Sequence, residues 1–317
     1  MGISGKYNLK KILVIGSNGF LGSTLCKSLL KFQLSEFELL QVQGKNDLDI
    51  TNFELINSYL NQAKPDIVVN AAAFVGGISY GYKYPADLLH RNSLMALNIF
   101  ESCRQNNINQ LINPISNCAY PGELKVYKEE MFWDGKPHES VFYYALTRRL
   151  IVGLGESYFK QYNLNCTNIV MSNMYGPNDH FDEERSHALG ALVKKIYDAK
   201  INNLDSITIW GTGQPIREWL YVEDAAEAII KSFNLKSGHN FFNVGVNKGI
   251  SIIDLANLIK EQLNWKGSFK FDSSKPDGAS EKRVDNYRTL KLLDWQPSTR
   301  LVDGIKLTVD WYVESQK

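Results

Sequence analysis

Three glycines at equal spacing, Gly16, Gly19 and Gly22, punctuate the segment Gly16-Ser17-Asn18-Gly19-Phe20-Leu21-Gly22. Glycine lets a backbone turn tightly and approach a neighbouring group closely. Where such a loop leads from a strand into a helix, the N–H groups at the helix start receive a pyrophosphate. On their own the glycines fit any strand-to-helix turn, so the flanks decide. Lys11-Ile12-Leu13-Val14-Ile15 is a buried-strand run, and Leu21 to Leu30 carries apolar residues at helical spacing. In that context Gly16, Asn18, Gly19, Phe20, Leu21 and Gly22 form a dinucleotide loop. Cofactor choice turns on the end of the second strand, Gln43-Gly44-Lys45-Asn46-Asp47-Leu48-Asp49. An acid on the ribose favours NAD, and a cation favours the 2′-phosphate of NADP. Lys45 is the available cation, so NADP is expected, with NAD the alternative; a solvated loop lysine fits the same position. Asp49 is expected to face the adenine.

The elements that must carry this loop alternate. Leu39-Leu40-Gln41-Val42, Asp66-Ile67-Val68-Val69 and Gln110-Leu111-Ile112-Asn113 read as strands, with helices after Thr51 and through Leu97-Asn98-Ile99-Phe100. A long helix is expected from Tyr144 to Gln161, then a strand Cys166–Met171. Continuous apolar strands separated by helices imply a parallel sheet covered on both faces, an α/β, Rossmann-type doubly wound fold. After Gly176-Pro177 the regularity weakens: a helix over Ala188–Lys200, a strand Ser206–Trp210, a Gly-Thr-Gly turn, a helix from Glu223-Asp224 and a core strand at Phe241-Phe242-Asn243-Val244. The chain is thus expected to leave the main sheet, return and leave again. Residues 1–176 plus 218–246 would form the dinucleotide domain. Residues 177–217 plus 247–317 would form a smaller, discontinuous C-terminal substrate domain.

Composition narrows the function classes. With 35 Lys+Arg and 34 Asp+Glu the net charge is +1, which argues against a general nucleic-acid or membrane-surface binder but not against one bound anion. Hydrophobic residues are 44% and charged residues 22%, values of a chain able to bury a core rather than stay disordered. Cys26, Cys103, Cys118 and Cys166 are widely spaced with no CxxC pair, so neither zinc nor a disulfide framework is indicated. No apolar stretch reaches the roughly 18 residues of a membrane span. The start MGISGKYNLKK lacks a signal-peptide core, and Lys6 stands where a myristoylation signal needs Ser or Thr. A cytoplasmic protein is expected.

Several further segments carry a resemblance: Ala71-Ala72-Ala73-Phe74-Val75-Gly76-Gly77-Ile78, Tyr84-Pro85-Ala86-Asp87, Ser116-Asn117-Cys118-Ala119-Tyr120-Pro121, Asn173-Met174-Tyr175-Gly176-Pro177-Asn178-Asp179, Trp210-Gly211-Thr212-Gly213-Gln214-Pro215-Ile216-Arg217-Glu218 and Lys275-Pro276-Asp277-Gly278. Together with the GxxGxxG spacing, they make the chain resemble the GDP-L-fucose synthase family of extended short-chain dehydrogenases, which epimerise a GDP-linked 4-keto-6-deoxy sugar at C3 and C5 and reduce it at C4. The segments cover nearly the whole chain in the expected order.

Cys118 follows a strand at the carboxyl side of the sheet, where a core cysteine and a reactive one are both at home. The resemblance makes Cys118 and His187 an acid–base pair. A 4-keto group acidifies the hydrogens at C3 and C5, and inversion needs one group to remove a proton and another to return one to the opposite face. It also implies Tyr144 as the proton donor in reduction, Ser116 beside the carbonyl, and Ala72, Tyr144 and Arg148 at the cofactor. Asn173, His187, Lys195, Trp210, Arg217 and Lys282 would hold the nucleotide sugar, with Arg217 on the diphosphate. Taken alone, Tyr144 fits a packed helix aromatic, and Arg217 and Lys282 fit surface charges.

The chain departs from the family pattern. Arg148 stands at the Tyr-x-x-x-Lys lysine and Lys195 at an arginine. An arginine near Asn18 and a lysine at Phe74 are absent. Arginine keeps the charge that tunes the phenol but presents a planar fork in place of a compact ammonium. Either it suffices for reduction, or the chain mainly epimerises. The leading expectation is an NAD(P)H-dependent enzyme that epimerises a GDP-linked 4-keto sugar at C3, at C5 or at both and then reduces C4. The alternatives are an epimerase or reductase alone on a related sugar such as a heptose, and a non-catalytic dinucleotide-binding protein. The resemblance also implies a homodimer, for which Leu97-Ile99-Phe100 and Leu150-Ile151-Leu154 supply apolar positions; burial within one subunit explains the same pattern.

Overall fold

A computed structural model describes residues 10–31, 37–76, 78–182, 186–275 and 277–317. The first strand, β1 (Lys10–Ile15), reads K-K-I-L-V-I and buries its last four residues in succession. Successive strand residues face opposite sides, so Leu13 and Ile15 enter one core and Ile12 and Val14 the other. That is the signature of a strand covered on both faces. Helix α1 (Phe20–Lys31) follows directly, then β2 (Phe37–Val42). Helix α2 (Phe53–Ala63) starts under an Asn52 cap, whose side chain accepts from the Leu55 N–H, and stops at Lys64 in the left-handed region. β3 (Ile67–Asn70) and α3 (Ile78–Lys83) precede α4 (Pro85–Gln105), which opens on a proline whose missing N–H costs nothing there.

β4 (Gln110–Ser116), β5 (Val126–Tyr127), α5 (Phe142–Tyr162), β6 (Asn165–Met171) and β7 (Asn173–Tyr175) come next. They are followed by α6 (Ala188–Ile201), β8 (Ser206–Trp210), β9 (Ile216–Tyr221), α7 (Val222–Ser232) and β10 (His239–Val244). The remainder is β11 (Gly249–Ser251), α8 (Ile252–Leu263), β12 (Ser268–Asp272), β13 (Glu281–Val284), α9 (Tyr287–Leu293) and α10 (Leu301–Ser315).

Six strands form one sheet in the order β10-β6-β4-β3-β1-β2, and every pair in it is parallel. From β1 the chain steps to one side for β2 and to the other for β3. The carboxyl ends of β1 and β3 therefore flank the point where strand order reverses, the place where open α/β sheets bind ligands. Helices α2, α4 and α5 pack on one face and α1 and α7 on the other. The doubly wound parallel sheet expected from the alternating pattern is present.

The return of the chain to this sheet runs through α7 and β10. The segment Ile216–Tyr221 pairs elsewhere, in a second sheet of order β11-β9-β13-β5 to which β7 also attaches through β9. A third core gathers α6, α8 and α10 around side chains of β8 and β9. Glu218 joins these parts. It is fully buried at 0% exposure. Its carboxylate accepts from the N–H groups of Val246, of Asn247 at 2.7 Å and of Val284 at 2.6 Å, and its main-chain oxygen accepts from Asn173 Nδ2 at 3.0 Å. Burial pushes its pKa up to about 7, against the pull of the amides. One residue, through its carboxylate and its main-chain oxygen, thus fixes β7, β9, β13 and the turn after β10 relative to one another. Among the described residues, no helix is long and apolar enough to cross a membrane.

Candidate active site

The three glycines meet at the switch point, each for a steric reason. Gly16 has φ 81°, and a Cβ there would lie 2.8 Å from the Ala72 nitrogen beyond β3. A Cβ on Gly22 would lie 2.0 Å from the Gly16 oxygen, so α1 begins directly beneath the loop. Gly19 is less confined, with its notional Cβ 3.3 Å from the same oxygen, a tight contact but not an excluded one. The loop is held from behind: Gly16 and Ser17 N–H groups donate to the Val42 oxygen at 2.8 and 3.0 Å. Asn18 and Gly19 are exposed, Leu21 is buried, and Ala72 is half-buried opposite. The Ser17 hydroxyl is buried without a hydrogen-bond partner. A tight cradle, an unfilled donor and a helix N-terminus are the features a dinucleotide pyrophosphate fits.

At the end of β2, Lys45 and Asp49 form an ion pair of 3.2 Å, with the lysine side chain 78% exposed. Asp49 Oδ1 accepts from the Thr51 N–H at 3.1 Å and hydroxyl at 2.5 Å. Those hydrogen bonds hold its pKa below the usual carboxylate value. Asp49 therefore braces the turn into α2, a role that its expected place at the adenine left out.

The second cluster forms around the end of β4. Ser116 caps a single 3₁₀ turn, Asn117–Ala119, and its Oγ accepts from the Cys118 N–H at 3.3 Å. Tyr144 lies in the first turn of α5, and Arg148 one turn further on reaches the same face. Arg148 is only 3% exposed. Its Cζ sits 4.7 Å from the Tyr144 ring centroid. Nη2 donates to Asn92 Oδ1 at 3.0 Å and Nε to the Thr147 hydroxyl at 3.2 Å. Asn92, on α4, is itself saturated: Nδ2 donates to the Phe74 and Leu88 oxygens at 2.8 Å each, and Oδ1 accepts from the Phe74 N–H at 3.0 Å. The guanidinium is thereby tied to the segment leaving β3.

Charge and burial oppose each other here. Burial pushes the Cys118 thiol above its ordinary value, while the Ser116 hydroxyl and the charges of Arg148 and Lys282 pull it down. Burial also raises the Tyr144 phenol; Arg148 pulls it down and Cys118 pushes it up. His187 precedes α6 at its N-cap position. The residue is exposed, though protein crowds around its imidazole. That crowding, followed by the charge of His180, holds its pKa below the ordinary histidine value.

The cations expected on the substrate side stand in register, Lys282 on β13 opposite Arg217 on β9. Burial and then Arg217 lower the Lys282 pKa, while Cys118 raises it. Burial lowers that of Arg217, opposed by Tyr127 and Asp277. Asp277 docks its loop on the Gly-Thr-Gly turn, accepting from the Thr212 N–H at 2.6 Å and hydroxyl at 2.7 Å. Pro276 lies outside the described residues. Trp210 is 71% exposed, with Lys275 Nζ 5.7 Å from its ring centroid. Lys195 is exposed and donates to the Thr208 oxygen at 2.5 Å.

Ser116, Cys118, Tyr144, Arg148, Lys282 and Arg217 thus form one electrostatically linked chain. Asn92, Tyr127 and Glu218 were not among the expected residues. Asn92 had a signal, a lone polar residue in the Leu88, Ala96, Ile99 stripe of α4, all four now buried. Of the positions considered for a subunit contact, Ile99, Phe100 and Ile151 are spent inside this chain's own core, while Leu97 remains 44% exposed.

Residues 12–245 match the model of the NAD dependent epimerase/dehydratase family. A putative GDP-L-fucose synthase 2 of Arabidopsis thaliana is 33% identical over 316 residues, covering 98% of this chain and 95% of its own. A crystal structure of a GDP-L-fucose synthetase from Naegleria fowleri bound to NADP is 27% identical with a TM-score of 0.88, covering 97% of this chain and 95% of its own. A GDP-6-OMe-4-keto-L-xylo-heptose reductase from C. jejuni is 25% identical with the same TM-score of 0.88, covering 98% and 99%. With a family model over most of its length and full-length relatives above 30% identity, the chain belongs to the NAD dependent epimerase/dehydratase family, in its GDP-L-fucose synthase group.

Proposed function

We propose that the protein converts a GDP-linked 4-keto-6-deoxy sugar by epimerisation at C3 and C5 and reduction at C4, with NADP as cofactor. The observation that carries this reading is that the Arg148 charge, 4.7 Å from the Tyr144 ring centroid, acts on both the Tyr144 phenol and the Cys118 thiol. Full-length similarity to GDP-L-fucose synthases and to an NADP-bound neighbour supports the substrate class and the cofactor.

The 4-keto group makes the C3 and C5 hydrogens acidic, and Cys118 and His187 exchange protons with those carbons. With the thiol raised and the imidazole lowered, the resting pair holds one proton between its two members. That is the inventory inversion requires, since one member takes a proton while the other gives one. NADPH, when bound in the glycine cradle, supplies the hydride for C4. Tyr144 protonates the oxygen as negative charge develops there, and Arg148 stabilises the phenolate left behind. Arg217 and Lys282 neutralise the diphosphate, and Trp210 offers an exposed face to the base. The glycine cradle, Cys118, Tyr144 and Arg148 belong to residues 1–176 plus 218–246. Residues 177–217 plus 247–317 would form the nucleotide-sugar half, a division the third core favours except that it also takes in Trp219 and Tyr221 of β9.

A reductase acting on a different GDP sugar is the second reading. Lys195 in place of an arginine, held to a main-chain oxygen, favours it. We also propose a homodimer through α4, whose outer face carries a shallow apolar groove lined by Ala86, Leu89, His90, Ser93, Leu94 and Leu97. Burying such a stripe against its symmetry mate removes apolar surface from water.

Three outcomes are expected. Incubation with GDP-4-keto-6-deoxymannose and NADPH in heavy water yields reduced product carrying deuterium at C3 and C5, with nicotinamide oxidation in equal amount. Deuterium without oxidation would leave an epimerase only, oxidation without deuterium would favour the second reading, and neither would sink the substrate class. The pH profile of deuterium exchange has a wide plateau. Its acid limb, where His187 gains a second proton for the pair, lies below 6.5. Its alkaline limb, where Cys118 loses the last one, lies above 9.0. Limbs drawn inside those values would contradict the pair. Sedimentation at micromolar concentration gives a dimer that Leu94→Glu converts to monomer; a monomeric wild type removes the proposed contact.

A further inference from the structure

Arg148 is followed by a second arginine with a different task. Arg149 turns away from the Tyr144 ring and donates from Nε to the main-chain oxygen of Ala119 at 2.8 Å. Its guanidinium lies against Phe132 and Trp133, 5.6 and 5.7 Å from their ring centroids. Among the described residues no carboxylate acts on it, burial alone lowers its pKa, and its Nη2 is buried with no hydrogen bond. A half-buried cation without a counter-charge costs folding free energy. Methionine would cover the same aromatic surface without that cost, so what sets the arginine apart is its charge over the two rings and the bond it makes to the Ala119 oxygen.

That oxygen belongs to the last residue of the turn that carries Cys118. A 3₁₀ turn of three residues has poor internal hydrogen bonding and little rigidity of its own. Here it is pinned on both sides of the thiol. Ser116 Oγ holds the Cys118 N–H at the entrance. At the exit, Arg149 holds the Ala119 oxygen and Tyr120 N–H reaches back to the Asn117 oxygen at 3.1 Å. The charges that act on the thiol are those of Arg148 and Lys282, so the contribution of Arg149 is one of geometry.

We propose that Arg149 is the positioning residue for Cys118: by fixing the Ala119 carbonyl to α5, it makes the epimerising thiol and the reducing Tyr144–Arg148 pair parts of one rigid frame. The proposal rests on the assignment of Cys118 to proton exchange made above. Its consequence is a partition. With the turn released, the ketone is still reduced, but the proton transfers that need the thiol in place fall behind.

The test is Arg149→Met, which keeps a stem able to cover Phe132 and Trp133 but has no donor. In heavy water with GDP-4-keto-6-deoxymannose and NADPH, deuterium exchange at C3 and C5 falls roughly 10- to 100-fold, the cost of misplacing a reacting group by about 1 Å. Reduced product lacking deuterium appears, which the wild type does not form. Arg149→Lys, retaining one donor, restores part of the labelled share. A merely structural role would lower both reactions together and leave the labelled share of product unchanged, and that result overturns the proposal. A readout independent of the substrate is amide hydrogen exchange. It should rise across 117–120 in Arg149→Met while the rest of β4 keeps its protection, and unaltered protection of 117–120 also overturns the proposal. Failure of the underlying assignment looks different: the wild type itself would show no exchange at C3 or C5.

Discussion

Burial raises two acids at once, the Cys118 thiol and the Tyr144 phenol, and the positive charge of Arg148 opposes the rise on both. The remainder of the site can be understood from that constraint. A reacting ketone needs a dry cleft, because water screens the charges that stabilise an enolate or alkoxide. Dryness makes both acids weaker than the chemistry wants. One cation that acts on both restores part of the loss. Asn92 places it, and the same amide holds the main chain of Phe74 at the exit of β3. The strand end that faces the cofactor cradle and the residue that tunes the catalytic acids are consequently one connected unit.

An arginine suits this arrangement in a way that a lysine would not. Its planar head lies over the Tyr144 ring while two edges donate to Asn92 and Thr147. An ammonium on the same backbone position would be a point charge without those directed contacts. The substitution that looked like a defect in the tyrosine motif is accommodated by its own hydrogen bonds. On the substrate side the logic is similar. Arg217 and Lys282, two neighbouring cations, stand in register because Glu218 fixes the strands that carry them through a buried carboxylate surrounded by N–H donors.

Much of this was legible in the residues. The central strands were visible because strands covered on both faces are continuously apolar. The glycines at 16 and 22 were visible because their close approaches leave no room for a Cβ. Less was readable after Val246, where β11, β12 and β13 are short and at most half-buried over most of their length, too brief to show alternation. Asn92 stood in an otherwise apolar stripe, a pattern that marks a buried polar contact without naming its partner. Ile99, Phe100 and Ile151 were apolar at helical spacing, which cannot separate a core-facing stripe from a subunit-facing one. Asp49 was acidic at the expected place, but its hydrogen bonds to Thr51 depend on a turn that strand-and-helix periodicity does not describe.

The measurement that bears most directly on the role of Arg148 is the thiol titration of Cys118, read as the pH dependence of its alkylation. The other three cysteines, Cys26, Cys103 and Cys166, are 4%, 0% and 0% exposed, so Cys118 dominates the reaction. Arg148→Met should move the midpoint upward relative to the wild type and slow alkylation at neutral pH. An unchanged midpoint would mean that the guanidinium does not act on the thiol, and the coupling of the two catalytic acids through one cation would be wrong.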